Sequence, residues 1–368
     1  MNQNIITLGG GMIGFAIARD LKKLGYLVTV ADIDESLQDK FFSLNIGFLK
    51  MDFSDLNHVH RTVQDYDLVI GAVPGFMGYS ILQTVLEAGK DIADISFMPE
   101  DSQGLDTIAK ENGVTAITDA GVAPGLSNLI FGKELVEFDK LDSAKCFVGG
   151  LPQNPQLPWL YKSVFSPIDV IEEYTRPARL VENGKVVIRP AMSEIEQIEF
   201  DNVGTLDAFN SDGLRSLLKL PIPDMVEKTL RFPGHIQKII KMRDDGLFSS
   251  EKLKETSNSL IEDWVPGESD YDQTIMRLEF KGYKNSIHVS KTYDLIDYYD
   301  KVNYISSMAR TTGYTCSATA NILLSDEPIE NGVFTMESFG NNDNMVSQII
   351  SYLAEREIIF STNINNTE

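Results

Sequence analysis

The sequence predicts an α/β protein with a doubly wound parallel sheet first, then an α+β domain with a mixed, largely antiparallel sheet, and a C-terminal segment returning to the first sheet. Three observations carry this. Over the first 120 residues, short apolar strands alternate with amphipathic helical stretches, the pattern of a parallel sheet covered on both faces. The first strand runs directly into a glycine-rich turn that opens a helix. From about residue 140 the alternation gives way to long strands and hairpin turns such as Asn183-Gly184.

Taken in order, Ile5-Ile6-Thr7-Leu8 is a buried strand, and Gly9-Gly10-Gly11-Met12-Ile13-Gly14 is Gly-x-Gly-x-x-Gly. Gly9 allows the tight turn, Gly11 lets backbone come close to a pyrophosphate, and Gly14 lets the helix lie against the strand. The N–H groups of the helix's first turn, from Met12 and Ile13 onward, face the phosphates. Ile13, Ile17, Leu21 and Leu24 form one helical stripe, which Gly25 closes. The second strand, 27–31, ends at Asp32, the acid expected at the ribose of a dinucleotide. A carboxylate there accepts hydrogen bonds from both ribose hydroxyls and repels a 2′-phosphate, and Ile33 adds no compensating charge. The expected cofactor is therefore NAD on a Rossmann fold.

Further strands are expected near 46–50, 67–73, 91–95 and 114–118. The fourth ends in Ala72-Val73-Pro74, small residues that let backbone approach the cofactor where the sheet's carboxyl edge opens. The fifth and sixth lead to Asp94 and Asp119 at the same edge. A helix over 126–136 then leads away from the first domain, set at 1–125.

The second domain is set at 126–304, with strands through 144–148, 178–181, 185–188, 272–282 and 286–296 and helices near 211–219, 234–244 and 251–261. Residues 305–360 read as a helical segment, 308–324, a short strand, 333–336, and a last helix, 343–356, that pack back on the first domain. The polar, Asn-rich residues 361–368 are expected to be disordered.

Bulk properties narrow the function. The net charge of −22 argues against nucleic acid, whose phosphates require a basic face. No apolar run is long enough to span a bilayer, and the chain enters its first strand almost at once, so neither membrane span nor signal peptide is expected and the location reads as cytoplasmic. Cys146 and Cys316 match no ligand or redox spacing and read as buried thiols, and the four histidines offer no metal-ligand pattern. What is left is hydride transfer to or from NAD. The substrate is to be held by charged residues on local turns: Glu173-Tyr174-Thr175-Arg176, 210–215 and Leu230-Arg231-Phe232-Pro233-Gly234-His235. On spacing alone these groups also suit surface ion pairs or caps.

A resemblance adds to this. The segments Asp119-Ala120-Gly121-Val122-Ala123-Pro124-Gly125-Leu126-Ser127-Asn128, Gly149-Gly150-Leu151-Pro152, Glu173-Tyr174-Thr175-Arg176-Pro177-Ala178, Val203-Gly204-Thr205-Leu206, Ser211-Asp212-Gly213-Leu214-Arg215, Arg231-Phe232-Pro233-Gly234-His235 and Ser307-Met308-Ala309-Arg310-Thr311-Thr312-Gly313-Tyr314 occur in the order of the saccharopine dehydrogenase superfamily. The chain resembles most closely the branch containing L-lysine 6-dehydrogenase, since Ala123 and Asn128 stand where the saccharopine-forming branch has an acidic residue and a histidine. The resemblance implies an NAD(P)-binding domain, a mixed-sheet second domain and a homodimer. It also implies oxidation at a C–N bond of an amino acid, with L-lysine ε-deamination first and a secondary amine such as saccharopine or a carboxylated polyamine as the alternative. An NAD-binding regulator without catalysis is the third reading. On the lysine reading, Asp119 deprotonates the ε-ammonium, with Asp94 and His235 as further candidates. Arg231 holds the α-carboxylate, followed by Arg215 and Arg310, with Thr311 and Tyr174 beside the substrate.

Overall fold

The structure, a computed structural model, describes residues 3–165, 167–267, 269–325 and 328–367. It divides into two compact units, residues 1–133 with 309–357, and residues 134–308 with 358–368.

In the first unit the chain runs β1 (Asn4–Leu8), α1 (Met12–Lys23), β2 (Leu27–Asp32), α2 (Gln38–Phe42), β3 (Gly47–Lys50), α3 (Leu56–Val63), β4 (Leu68–Gly71), α4 (Gly75–Glu87), β5 (Ile92–Asp94), α5 (Asp106–Asn112), β6 (Thr115–Thr118) and α6 (Leu126–Glu137). Period-two alternation sends neighbouring residues of one strand into separate cores. Ile6, Leu8 and Val69 pack with Val59, Leu82 and Ala109 of α3, α4 and α5 on one face. Ile5, Val30 and Ile70 pack with Ile17 and Leu21 of α1 on the other. Both faces are thus covered, which is why β4 reads as an unbroken apolar run and is buried throughout. Leu24 departs from the expected stripe: it is 45% exposed because the helix has already ended.

The second unit comprises β7 (Lys140–Pro152), α7 (Pro167–Thr175), β8 (Ala178–Glu182), β9 (Lys185–Arg189), β10 (Glu196–Phe200), β11 (Gly204–Asn210), β12 (Asp224–Arg231), α8 (His235–Asp244), α9 (Leu253–Trp264), β13 (Asp272–Lys284) and β14 (Ile287–Tyr298). The chain continues through α10 (Ser307–Leu323), β15 (Gly332–Thr335), α11 (Asp343–Ala354) and β16 (Phe360–Asn366).

The first sheet is parallel, in the order β15-β6-β5-β4-β1-β2-β3. Strand order reverses between β1 and β4, the switch point where doubly wound sheets open a crevice at their carboxyl ends. The returning segment adds β15 beside β6 and places Cys316 and Ala320 of α10 in the core with Ile5 and Ile17. It is also tied to α1: Tyr352 Oη donates to Asp20 Oδ2 at 2.6 Å and Arg356 Nε to Asp20 Oδ1 at 2.9 Å.

The second sheet is mixed, in the order β10-β11-β12-β7-β13-β14-β16, with β8 pairing β12 and β9. Only its β12–β7 pair is parallel among the described pairings. An aromatic and aliphatic core, with Tyr161, Tyr174, Phe209, Ile236 and Trp264, lies under α7, α8 and α9.

Several elements depart from expectation. The helix expected over 211–219 is only a 3-10 turn, Arg215–Lys219. Residues 361–366, expected to be disordered, belong to β16, where β14 supplies the hydrogen-bonding partners that a polar tail lacks alone; Glu368 lies outside the described residues. Strands β10, β11 and β12 had no clear signal. In β12 the reason is visible: Glu227, Thr229 and Arg231 occupy one face yet are all buried, so polarity does not mark the solvent side.

Candidate active site

The glycine turn joins β1 to α1 beside the end of β4. Gly9 has φ +108°, and a Cβ there would fall 2.2 Å from Ala72 O; a Cβ on Gly14 would fall 2.0 Å from Gly9 O. Those two glycines are required by packing. Gly11 differs, because a Cβ there would meet nothing within 4 Å. Its free side is open, next to exposed Met12 at the start of a 12-residue helix. Open backbone at a helix N-terminus is what a pyrophosphate requires.

Asp32 ends β2 on the same side, its Oδ2 accepting the Gly10 N–H at 2.6 Å and its Oδ1 the Asp34 N–H at 2.9 Å. Ile33, 58% exposed, and Pro74, also exposed, complete the open rim, while Ala72 and Ile13 are half-buried and Val73 is buried. The residues present therefore fit a dinucleotide, whose pyrophosphate would lie against the open side of Gly11.

Asp94 and Asp119 stand at the carboxyl ends of β5 and next to β6. The Asp94 side chain is fully buried and lies over the last residue of β4: a Cβ on Gly71 would fall 1.8 Å from its Oδ2. It accepts the Ser96 N–H at 2.8 Å, and its backbone carbonyl accepts the Ala120 N–H at 2.9 Å. Asp94 thus braces the loop that begins at Asp119. Asp119 has φ +54°, a left-handed conformation that aspartate tolerates better than most residues, and is 5% exposed. It is no helix cap, because α6 starts only at Leu126. In the same unit Thr311 is fully buried in α10, and Arg310 Nη2 donates to Arg356 O at 2.7 Å.

The remaining candidates, Tyr174, Arg215, Arg231 and His235, belong to the second unit. Arg231 ends β12 and is 1% exposed. Its Nε donates to Tyr174 Oη at 2.9 Å, Nη2 to Glu173 Oε2 at 2.7 Å and Nη1 to Leu230 O at 2.9 Å. The guanidinium lies 4.5 Å from the centre of the Tyr161 ring. Tyr174 Oη is in turn 3.0 Å from His235 Nε2, and His235 Nδ1 is 2.7 Å from Trp159 O. A carbonyl only accepts, so Nδ1 carries the proton; Nε2 then accepts from the Tyr174 hydroxyl.

Burial and the Arg231 charge push His235 down to about 3, which leaves it neutral near pH 7 with both nitrogens engaged. In this arrangement His235 orients Tyr174, which the spacing of the turn did not foretell. Arg215 opens a 3-10 turn at φ +49° and faces the field of Glu227. Glu173 lies in one of the turns expected to hold the substrate, but Glu227 was not singled out by the sequence; period-two spacing of Glu227, Thr229 and Arg231 was the available signal. Burial, with Glu173 and Asp212 nearby, raises Glu227 to about 8.

Two known domains match the chain in order, and the second of them takes in residues 134–308 of the second unit together with the returning segment 309–357 of the first. A profile of the saccharopine dehydrogenase NADP binding domain matches residues 5–117, and one of the saccharopine dehydrogenase C-terminal domain matches residues 121–359. The chain belongs to the saccharopine dehydrogenase family. Among relatives of this family member, the saccharopine dehydrogenase [NADP(+), L-glutamate-forming] of Pyricularia oryzae is 25% identical over 74% of this chain and 66% of its own. The mitochondrial alpha-aminoadipic semialdehyde synthase of Mus musculus is 22% identical over 98% of this chain but 48% of its own. The chain therefore spans about two thirds or less of these relatives. The fold matches apo saccharopine dehydrogenase (L-Glu forming) from Saccharomyces cerevisiae with a TM-score of 0.82 at 18% identity, over 99% of this chain and 100% of that one. No helix among the described residues is long and apolar enough to cross a membrane.

Proposed function

We propose that this family member is an NAD-dependent oxidoreductase acting on a C–N bond of an amino acid, and that its substrate is the ε-amine of L-lysine. The nucleotide reading is supported by the open Gly11 cradle, and the choice of NAD by Asp32, whose two oxygens close the end of β2 where a 2′-phosphate would meet a negative charge. The names of the Pyricularia oryzae relative and of the matched nucleotide-binding domain carry NADP, so cofactor choice is a point on which this chain departs from them under this reading.

One observation favours a substrate with a single carboxylate. A secondary amine such as saccharopine carries more carboxylates and needs more cations, yet three arginines that could supply them each hold a carboxylate of this chain. Arg176 pairs with Glu172, Arg179 binds Asp212 through two nitrogens at 2.8 and 2.9 Å, and Arg189 pairs with Glu182 and Glu194. Arg231 is the proposed anchor for the lysine α-carboxylate. Among the described residues three of its five N–H groups meet protein acceptors, and a buried guanidinium retains a strong demand for the rest.

A bound pyridine nucleotide supplies hydride acceptance. Asp119 is proposed to take the proton from the ε-ammonium, whose reference pKa is about 10.4. Loss of hydride from the ε-carbon of the neutral amine leaves an iminium ion; water, or the α-amino group closing a six-membered ring, adds to it, and the adduct expels the ε-nitrogen as ammonia. The relatives' names favour the second reading, saccharopine as substrate.

The test is NADH absorbance with NAD and L-lysine, saccharopine, ornithine and polyamines near pH 9–10. Turnover of lysine with ammonia release supports the proposal, turnover only of a secondary amine replaces it, and tight NAD binding with no turnover favours a regulator.

A further inference from the structure

Asn128, in the first turn of α6, is 1% exposed and joins two segments that are distant in sequence. Its Oδ1 accepts the Gly125 N–H at 3.2 Å and the Ser127 hydroxyl at 3.1 Å, and its Nδ2 donates to Glu337 Oε2 at 3.1 Å. Glu337 lies on the 3-10 turn Met336–Phe339 and is itself oriented by Thr335 Oγ1, 2.7 Å from Oε1. The turn is seated on α6 at close range: a Cβ on Gly132 would fall 2.1 Å from Glu337 O, and one on Gly340 would fall 2.1 Å from Gly132 C.

The Glu337 oxygen is the acceptor and the Gly125 N–H the donor, which fixes the Asn128 rotamer with Nδ2 toward Glu337 and Oδ1 toward Gly125. Gly125 ends the loop that begins at Asp119. That loop is held at its first residues by Ala120 N–H on Asp94 O and folds on itself through Gly121 N–H on Pro124 O and Leu126 N–H on Gly121 O. Gly121 and Gly125 leave two of its positions without a Cβ to restrict the backbone, so its shape there depends on these contacts.

We propose that Glu337 is a positioning residue: through the Asn128 amide it fixes the far end of the Asp119–Gly125 loop, and so the placement of the Asp119 carboxylate. The proposal rests on the reading of Asp119 as the base. Reaction rates fall about a hundredfold for a misplacement of about 1 Å, so the clamp bears on turnover more than on nucleotide affinity.

The test uses the full chain and whichever amine the wild type oxidises. Glu337→Ala and Asn128→Ala are each expected to lower kcat at least tenfold with the KM for NAD within twofold of wild type, and the double variant to be no worse than either alone. Glu337→Gln keeps an acceptor and is expected to recover most of kcat. Wild-type kcat in Glu337→Ala, or equal impairment in Glu337→Gln with both KM values raised, overturns the proposal. A wild type silent on every amine removes the reading of the reaction instead. Hydrogen exchange at Gly125 and Leu126 then decides: faster exchange in Glu337→Ala supports the clamp, and unchanged protection overturns it.

Discussion

Asp32 Oδ2 accepts the Gly10 N–H at 2.6 Å, so the residue expected at the ribose also closes the glycine turn. Asp32→Ala is expected to raise the KM for NAD at least tenfold, since a hydrogen bond to a charged group contributes about 1.5–3 kcal/mol, and to narrow the preference over NADP. Initial rates with both nucleotides check this. An unchanged preference would mean that the ribose is recognised elsewhere.

The three glycines of the turn should respond differently. Gly11→Ala meets no protein atom, so its melting temperature should stay near wild type while the KM for NAD rises. Gly9→Ala and Gly14→Ala place a Cβ 2.2 and 2.0 Å from carbonyl oxygens and should lower the melting temperature without nucleotide present. Thermal unfolding with and without NAD separates the two effects.

Arg231→Ala is expected to raise the substrate's KM far more than that of NAD, with equal effects removing Arg231 from the carboxylate role. It also leaves Glu173, 26% exposed, without its partner, so the variant should melt somewhat earlier. Glu173→Gln removes the competing negative charge while keeping an acceptor. It should retain the fold and lower the substrate's KM if the carboxylate and Glu173 share the guanidinium.

Glu227 sets a pH dependence. Its carboxyl is raised from 4.5 to about 8, so the folded state holds the proton more tightly than the unfolded one. That stabilisation is complete below pH 4.5 and is lost as pH rises through about 8. The melting temperature of wild type should therefore fall more steeply between pH 5 and 9 than that of Glu227→Gln. Parallel curves would show that Glu227 is ionised at neutral pH.

Much of the first unit was legible because local rules and tertiary demand coincide there. A strand buried on both faces must be an apolar run, a turn against Ala72 must be glycine, and a returning helix must bury Cys316. The second unit was legible where hairpins announce themselves, at Asn183-Gly184 and across β13 and β14. It was not legible at β12, where a polar face is buried among its own partners, nor at β16, where an Asn-rich tail becomes a strand because β14 offers an edge.

The sequence by itself determined the glycine turn, Asp32 and the presence of carboxylates at the sheet's edge, because each depends on residues a few positions apart along one strand–turn–helix path. Only the tertiary structure decided what the distant side chains do. Arg231 meets Glu173, His235 orients Tyr174, and Glu337 reaches Asn128 across 209 positions. Those partners are chosen by strand register and by which backbone surfaces pack closely enough to bring them within hydrogen-bonding distance, and no local periodicity encodes that.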